Sequence, residues 1–190
     1  MCGRYLIDID ESEISGIVAE AVKNSREQVS NQLFEGGEIF PSNAAPVIAG
    51  NGACFMSWGY PSLIDGRRPH INARSETAAA LKTFSKAMAL RRCIVPATGY
   101  YEWKRIDGKR KEKYIFKLPD SEPMYMAGIH SGGGQYAILT REATAAISII
   151  HDRMPVIIPQ ALTAVWLNET SDVLKEALTD LCFDLAEAND

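Results

Sequence analysis

A cysteine stands second in this chain, after Met1 and before Gly3-Arg4-Tyr5. Once Met1 is removed, Cys2 presents an α-amine and a thiol on adjacent carbons. That pair is suited to aldehydes. The amine forms an imine, which hydrolyses readily on its own, and the thiol then closes a five-membered thiazolidine ring. The second attack is intramolecular, so it gains the large effective concentration of a positioned group. An α-amine has an ordinary pKa of about 7.7–8.0, against about 10.4 for lysine, so roughly a tenth of it is free nucleophile at neutral pH. The thiol, at about 8.5, is a good second nucleophile. The other role open to Cys2 is that of a buried strand residue at a tethered terminus. Cys54, Cys93 and Cys182 sit among apolar neighbours and read as core fillers. No two cysteines form a CxxC pair, so neither a zinc ribbon nor a thioredoxin-like motif is offered.

The elements that must position Cys2 are short. Residues 2–8 read as a strand. Asp10 and Glu13 suggest a capping box for a helix over 11–28, with Ile14, Ile17, Val18, Ala21 and Val22 at helical spacing. Glu35 to Pro46 reads as a loop, and Val47 to Trp58 as a hairpin turned at Asn51-Gly52. A second, alanine-rich helix is expected over Glu76–Leu90. Strands follow at Cys93–Ala97, Gly99–Arg105, Tyr114–Leu118, Met124–Ile129, Tyr136–Thr140 and Val156–Ile158. Helical segments close the chain near Pro159–Leu167 and Asp172–Glu187. Hairpin-joined strands without alternating helices imply a single α+β domain, mainly antiparallel.

The chain has 190 residues and a formal net charge of −4, ordinary for one soluble globular domain. The start lacks a signal-peptide pattern and no run is long enough to span a bilayer, so a cytoplasmic protein is expected. Charge is unevenly spread. Residues 66–117 carry a local net of +10, and residues 169–190 a local net of −6. A positive face on an acidic protein fits nucleic acid; a solvated hairpin over Lys104–Lys117 fits equally well. Gly132-Gly133-Gly134 lacks the strand–helix context of a phosphate loop.

Four segments together resemble the SRAP family, the SOS-response-associated peptidases. They are Met1-Cys2-Gly3-Arg4-Tyr5, Ile71-Asn72-Ala73-Arg74-Ser75-Glu76-Thr77, Gly99-Tyr100-Tyr101-Glu102-Trp103-Lys104 and Ile150-His151-Asp152-Arg153-Met154-Pro155. Trp58-Gly59 and Pro41-Ser42 also match. The likeness runs from residue 1 to about 167, leaving 168–190 as an acidic C-terminal helix or tail. It implies a barrel-like antiparallel core with peripheral helices. It also implies covalent capture of abasic sites in single-stranded DNA, in the DNA-damage response, with nucleoid association during damage. Self-removal of Met1 and lyase-type reversal belong to the same expectation. A monomer with no metal, nucleotide cofactor or membrane partner is expected.

The resemblance assigns catalytic roles to Cys2, Asn72, Glu102 and His151. His151, with an ordinary pKa of about 6.5, suits acid–base work in opening the sugar. Glu102 suits proton shuttling during imine formation and ring closure. In extended chain Tyr100, Glu102 and Lys104 share one face, which leaves Tyr101 and Trp103 on the other, toward the core. Asn72 both donates and accepts, so it suits the substrate hydroxyl or the Cys2 amine; a turn before the Glu76 helix is its structural alternative. His70 and His130 read as structural or surface residues. Each catalytic candidate has a basic residue two positions later: Arg4, Arg74, Lys104 and Arg153. Residues i and i+2 of a strand lie on one face about 6.5–7 Å apart. Arg4, Arg74 and Arg153 are therefore expected to bind phosphate, with Pro41 and Ser42 beside the DNA.

The chain departs from the family between Trp58 and Ile71, where a bacterial member carries adjacent tryptophans as a wedge. Here Tyr60, Leu63 or Ile64 is left for that role, with Arg67 and Arg68 to bind phosphate. Two further activities remain open on the residues alone. One is a thiol peptidase using Cys2, His151 and Asn72. The other is a non-catalytic single-stranded DNA-binding module.

Overall fold

The computed structural model describes residues 2–25, 34–64, 67–107, 110–119, 122–168, 173–176 and 184–187. Two sheets organise them, in a mixed, mainly antiparallel α+β domain. The first runs β12–β8–β7–β1–β2, made of Asp184–Glu187 (β12), Arg110–Lys117 (β8), Gly99–Asp107 (β7), Tyr5–Ile7 (β1) and Gly37–Ile39 (β2). The second closes into a ring. Gln135–Glu142 (β10) pairs Gly52–Trp58 (β4), which pairs Ala44–Ala49 (β3), then Arg92–Ala97 (β6), then Met124–His130 (β9), which returns to β10. Most pairings are antiparallel. β10 runs parallel to β4 and to the short strand Asn72–Arg74 (β5), and antiparallel to Arg153–Pro155 (β11). The barrel-like core expected from the sequence is thus present.

The core lies between these sheets and contains Cys2. Cys2, Tyr5, Trp58, Tyr100, Phe116 and Tyr136 share one buried apolar cluster. Trp58 packs edge-on to Tyr5 and stacks with Tyr136, while its indole N–H donates to the Ile71 carbonyl at 2.8 Å. That bond fixes the entry to β5, one residue before Asn72. The Tyr5 and Tyr136 hydroxyls meet at 2.5 Å, so neither phenol is left unsatisfied in the core.

Several expected elements differ. The first helix is Ser12–Asn24 (α1), and its cap is Glu11, whose carboxylate accepts from the Glu13 and Ile14 N–H groups. Asp10 is instead spent on an Asx turn, its N–H donating to Asp8. Residues 26–28 of the expected helix lie outside the described residues, as does Cys182. The expected loop over 35–46 contains β2 and the start of β3. β2 pairs β1 across Gly36, where φ is +74° and a Cβ would stand 2.6 Å from the Ile7 carbonyl oxygen, a position only glycine fills without strain. The helix expected over 76–90 is two pieces, Ser75–Ala78 (α2) and Ser85–Leu90 (α3). Phe84 breaks it by packing edge-on to Tyr60 and His70, so tertiary contact overrides the alanine-rich propensity. The strand expected at 156–158 is absent: extended pairing lies just before it, in β11 (Arg153–Pro155), and 156–158 carries only an isolated bridge at Ile157. In the segment read as a C-terminal helix, Val173–Glu176 is helical but β12 is extended. It pairs antiparallel with β8, whose backbone groups would otherwise form an open sheet edge.

Candidate active site

Four separate pieces of chain deliver the candidate residues to one place. Cys2 precedes β1 and is fully buried, its thiol 3.7 Å from the Arg4 carbonyl. Asn72 opens β5, and its amide nitrogen donates to the Cys2 carbonyl at 2.8 Å. The Asn72 Oδ1 is buried with no hydrogen-bond partner among the described residues. Glu102, on β7, is almost wholly buried and faces the Cys2 thiol closely enough to repel its ionised form. His151 follows helix Ala145–Ser148 (α4) and holds its Nε2 3.8 Å from Glu102 Oε2. A cleft of about 480 Å³ opens beside Glu102 and His151, lined also by Trp103, Lys104, Lys111 and Ile149 among others.

Burial drives the two proton-handling groups toward each other. It raises the Glu102 carboxyl to about 7, with Asp152 adding to the effect. It lowers the His151 imidazole below its ordinary value. Near neutral pH, Glu102 is therefore divided between acid and carboxylate, and His151 is mostly neutral. The thiol departs from the sequence expectation. Burial, with Glu102 beside it, pushes the Cys2 thiol far above its ordinary range, so it rests as S–H and needs a base before it can attack.

The i, i+2 regularity holds only in part. Arg74 and Lys104 follow it, Arg74 exposed on β5 and Lys104 lining the cleft. Arg4 turns to the outer face of the five-stranded sheet. Its guanidinium lies between the Phe40 and Trp103 rings and pairs with Glu38 at 2.9 Å. Burial alone would raise the Glu38 carboxyl, but Lys113 and Arg4 outweigh it and hold it below the usual range. Arg153 points inward. Its guanidinium is buried and bound bidentately by Glu76, which leaves it no face for a phosphate. The reason is local: only at Arg153 does extended chain begin, so His151 and Arg153 do not share a strand face. The faces of β7 are also reversed. Tyr100 stacks on Phe116 in the core, on the same side as Glu102, while Tyr101 and Trp103 face out under Lys113 and Arg4.

Pro41 and Ser42 are exposed at a tight turn, where Ser42 adopts φ +74° and its N–H donates to the Trp58 carbonyl at 2.8 Å. Such a conformation in a non-glycine residue is a strained one held by its surroundings. Of the residues considered for a wedge, Tyr60 is buried and bridged to His70, whereas Leu63 and Ile64 are exposed. Sequence reasoning passed over Glu76 and Asp152. Each lies inside a matching segment, four residues after Asn72 and one after His151, and that placement was the available signal. No group of three or more His, Cys, Asp or Glu among the described residues is arranged to hold a metal. Among the described residues, no helix is long and apolar enough to cross a membrane.

A family model described as SOS response associated peptidase (SRAP) matches residues 1–189, further than the sequence motifs reach. The abasic site processing protein YoqW of Bacillus subtilis is 34% identical over 191 residues, covering 88% of this chain and 80% of that protein. The abasic site processing protein YedK of Escherichia coli is 31% identical over 119 residues, 59% of this chain and 53% of that protein. A crystal structure of a Bordetella bronchiseptica protein superposes with a TM-score of 0.75 over 99% of this chain and 100% of that chain, at 23% identity.

Proposed function

The chain belongs to the SOS response associated peptidase (SRAP) family, and we propose that it processes abasic sites in single-stranded DNA by covalent capture on Cys2. One observation supports this above the others. Asn72 and Glu102 come from different strands to meet Cys2, whose amine Met1 now blocks, and His151 stands against Glu102 from a third segment. A buried cysteine with only a packing role has no need of such neighbours.

The reaction begins after Met1 has been removed. Neutral His151 takes the anomeric hydroxyl proton of the closed abasic sugar and returns it to the ring oxygen, whose bond to the anomeric carbon breaks to give the aldehyde. The Cys2 amine attacks the carbonyl carbon. Glu102 in its acid form protonates the departing oxygen, which leaves as water, and an imine remains. Glu102, now a carboxylate, takes the thiol proton, and the sulfur attacks the imine carbon to close the ring. The nitrogen, which gave one of its two protons to the departing water, keeps the other through the protonated imine, so the net change is loss of one water. Asn72 holds the Cys2 carbonyl, and its buried Oδ1 is free to accept from the new ring nitrogen or a sugar hydroxyl. Reprotonation by Glu102 would run the closure backward. The rims suit a DNA strand: Lys104, Arg105 and Lys111 line the cleft, with Arg74, Pro41 and Ser42 exposed outside it.

A thiol peptidase is less well supported, because the thiol is held protonated and no imidazole hydrogen bond to it is present among the described residues. A denaturing gel tests the proposal. The processed protein should form an adduct with abasic single-stranded DNA and none with the intact strand, and Cys2→Ala should form none with either. Equal adduct from Cys2→Ala would overturn it.

A further inference from the structure

The segment carrying His151 is anchored by a side chain that no step above uses. The Arg153 guanidinium donates to both Glu76 oxygens, at 2.8 and 2.9 Å, and to the Thr140 carbonyl at 2.7 Å. Glu76 stands in α2, directly after β5, and also accepts from the Glu142 N–H at 3.2 Å. Its carboxyl is held down to about 2, chiefly by the Arg153 hydrogen bonds. A fork-to-fork pair of this kind fixes orientation as well as distance.

The consequence falls on one nitrogen. The Arg153 backbone N–H donates to His151 Nδ1 at 3.0 Å, and Asp152 Oδ1 lies 2.9 Å from the same atom. These neighbours make opposite demands. The N–H requires a lone pair on Nδ1, whereas the carboxylate requires a proton there. The outcome decides which nitrogen carries the imidazole proton. With the lone pair on Nδ1, the proton sits on Nε2, the nitrogen that faces Glu102. Asp152 is 86% exposed and can swing away, so what must be fixed is the Arg153 backbone.

We propose that Glu76 is a positioning residue for His151: by gripping the Arg153 guanidinium it holds the Arg153 N–H against Nδ1 and keeps the imidazole proton on Nε2, toward Glu102. The tautomer itself depends on the geometry alone. Its effect on rate rests on the capture reaction proposed above. The charged or titratable groups facing His151 are Glu102 on β7, the chain's α-amino group and Asp152 beside it, with Arg153 acting through its backbone.

The test is nitrogen NMR of the histidine-labelled chain without DNA, with the His151 signal assigned by loss in His151→Gln. The parent protein should show the Nε2–H form. Glu76→Gln should move the proton toward Nδ1 and raise the titration midpoint of His151, because Asp152 then stabilises the imidazolium. Glu76→Asp, which keeps the charge, should retain the parent form. If Glu76→Gln does not fold, Glu76→Gln with Arg153→Met removes both charges and is read instead. In the processed protein, the acid limb of the crosslinking pH profile should move upward by the same amount as the midpoint. An unchanged tautomer and midpoint in the folded variants overturns the proposal, as does a midpoint that moves while the acid limb stays. If the tautomer shifts but the parent protein never crosslinks, the capture reaction is refuted and the positioning role stands.

Discussion

Glu76 and Glu102 each face a basic side chain from the three residues His151–Arg153, yet the fold drives them in opposite directions. Glu76 meets a guanidinium at 2.8 Å with two parallel bonds, and its carboxyl falls to about 2. Glu102 meets an imidazole at 3.8 Å in a nearly closed site, and its carboxyl rises to about 7. The partner decides part of this, since arginine does not titrate and histidine does. Burial decides most of the rest, with Asp152 adding to it at Glu102. The Glu76 side chain is 44% exposed and keeps water on one side, whereas that of Glu102 is 3% exposed. A carboxylate that never releases its charge serves as an anchor. One that is indifferent to its proton near neutral pH serves as a carrier.

Replacing the carrier should have the largest effect. Glu102→Gln is isosteric but holds no exchangeable acid, so adduct formation should slow by about 10²–10⁴-fold, the usual contribution of a positioned acid or base. Single-turnover gels over a time course would read this; a loss below tenfold would place the proton work elsewhere. Replacing the anchor should act on stability first. Glu76→Ala orphans a buried guanidinium and should cost about 2 kcal/mol in urea unfolding, the scale of a hydrogen bond to a charged group. No change would mean that solvent replaces Glu76.

The sharpest contrast is in the slopes of stability with pH. Glu102 ionises near 4.5 when unfolded and near 7 when folded, so the folded state holds the extra proton. Its contribution therefore diminishes as pH rises from about 4.5 through 7, and Glu102→Gln should flatten that fall. Glu76 runs the other way: its stabilisation is full above about 4.5 and is lost as pH drops toward 2. Unfolding midpoints of both variants against the parent chain, from pH 3 to 8, would show difference curves of opposite sign; parallel curves would dissolve the comparison. The smallest effect belongs to the rim. Lys104→Ala with Lys111→Ala should weaken strand binding and reduce the logarithmic salt slope by about 0.7 per lost phosphate contact. A fluorescence-anisotropy salt titration with Cys2→Ala, which cannot crosslink, would measure it.

The carrier was legible in the sequence and the anchor was not. Cys2, Asn72, Glu102 and His151 each sit in a short segment whose residue types are chemically pointed, and the structure brings those segments together. Partnership between Glu76 and Arg153 crosses 77 positions and depends on where β11 begins, which no local pattern announces. Extending strand logic from Cys2 to Arg4 and from His151 to Arg153 failed for the same reason, because neither pair lies within a strand. The strand character of β7 was readable, but not which face meets the core: Tyr100 and Tyr101 are equally apolar, and only the Phe116 stack separates them. The mainly antiparallel α+β character followed from hairpin spacing, and the barrel-like closure from the family resemblance. β2 and β12 did not, since each takes its extended form from an edge supplied elsewhere in the chain.

The hydrogen bond from Asn72 to the Cys2 carbonyl ties residue 2 to a strand made seventy residues later. Glu102 and His151 arrive later still. Cys2 is thus made long before the groups that surround it in the fold. On the capture reaction proposed above, a chain cut short of residue 151 would carry the cysteine without its full set of directing groups.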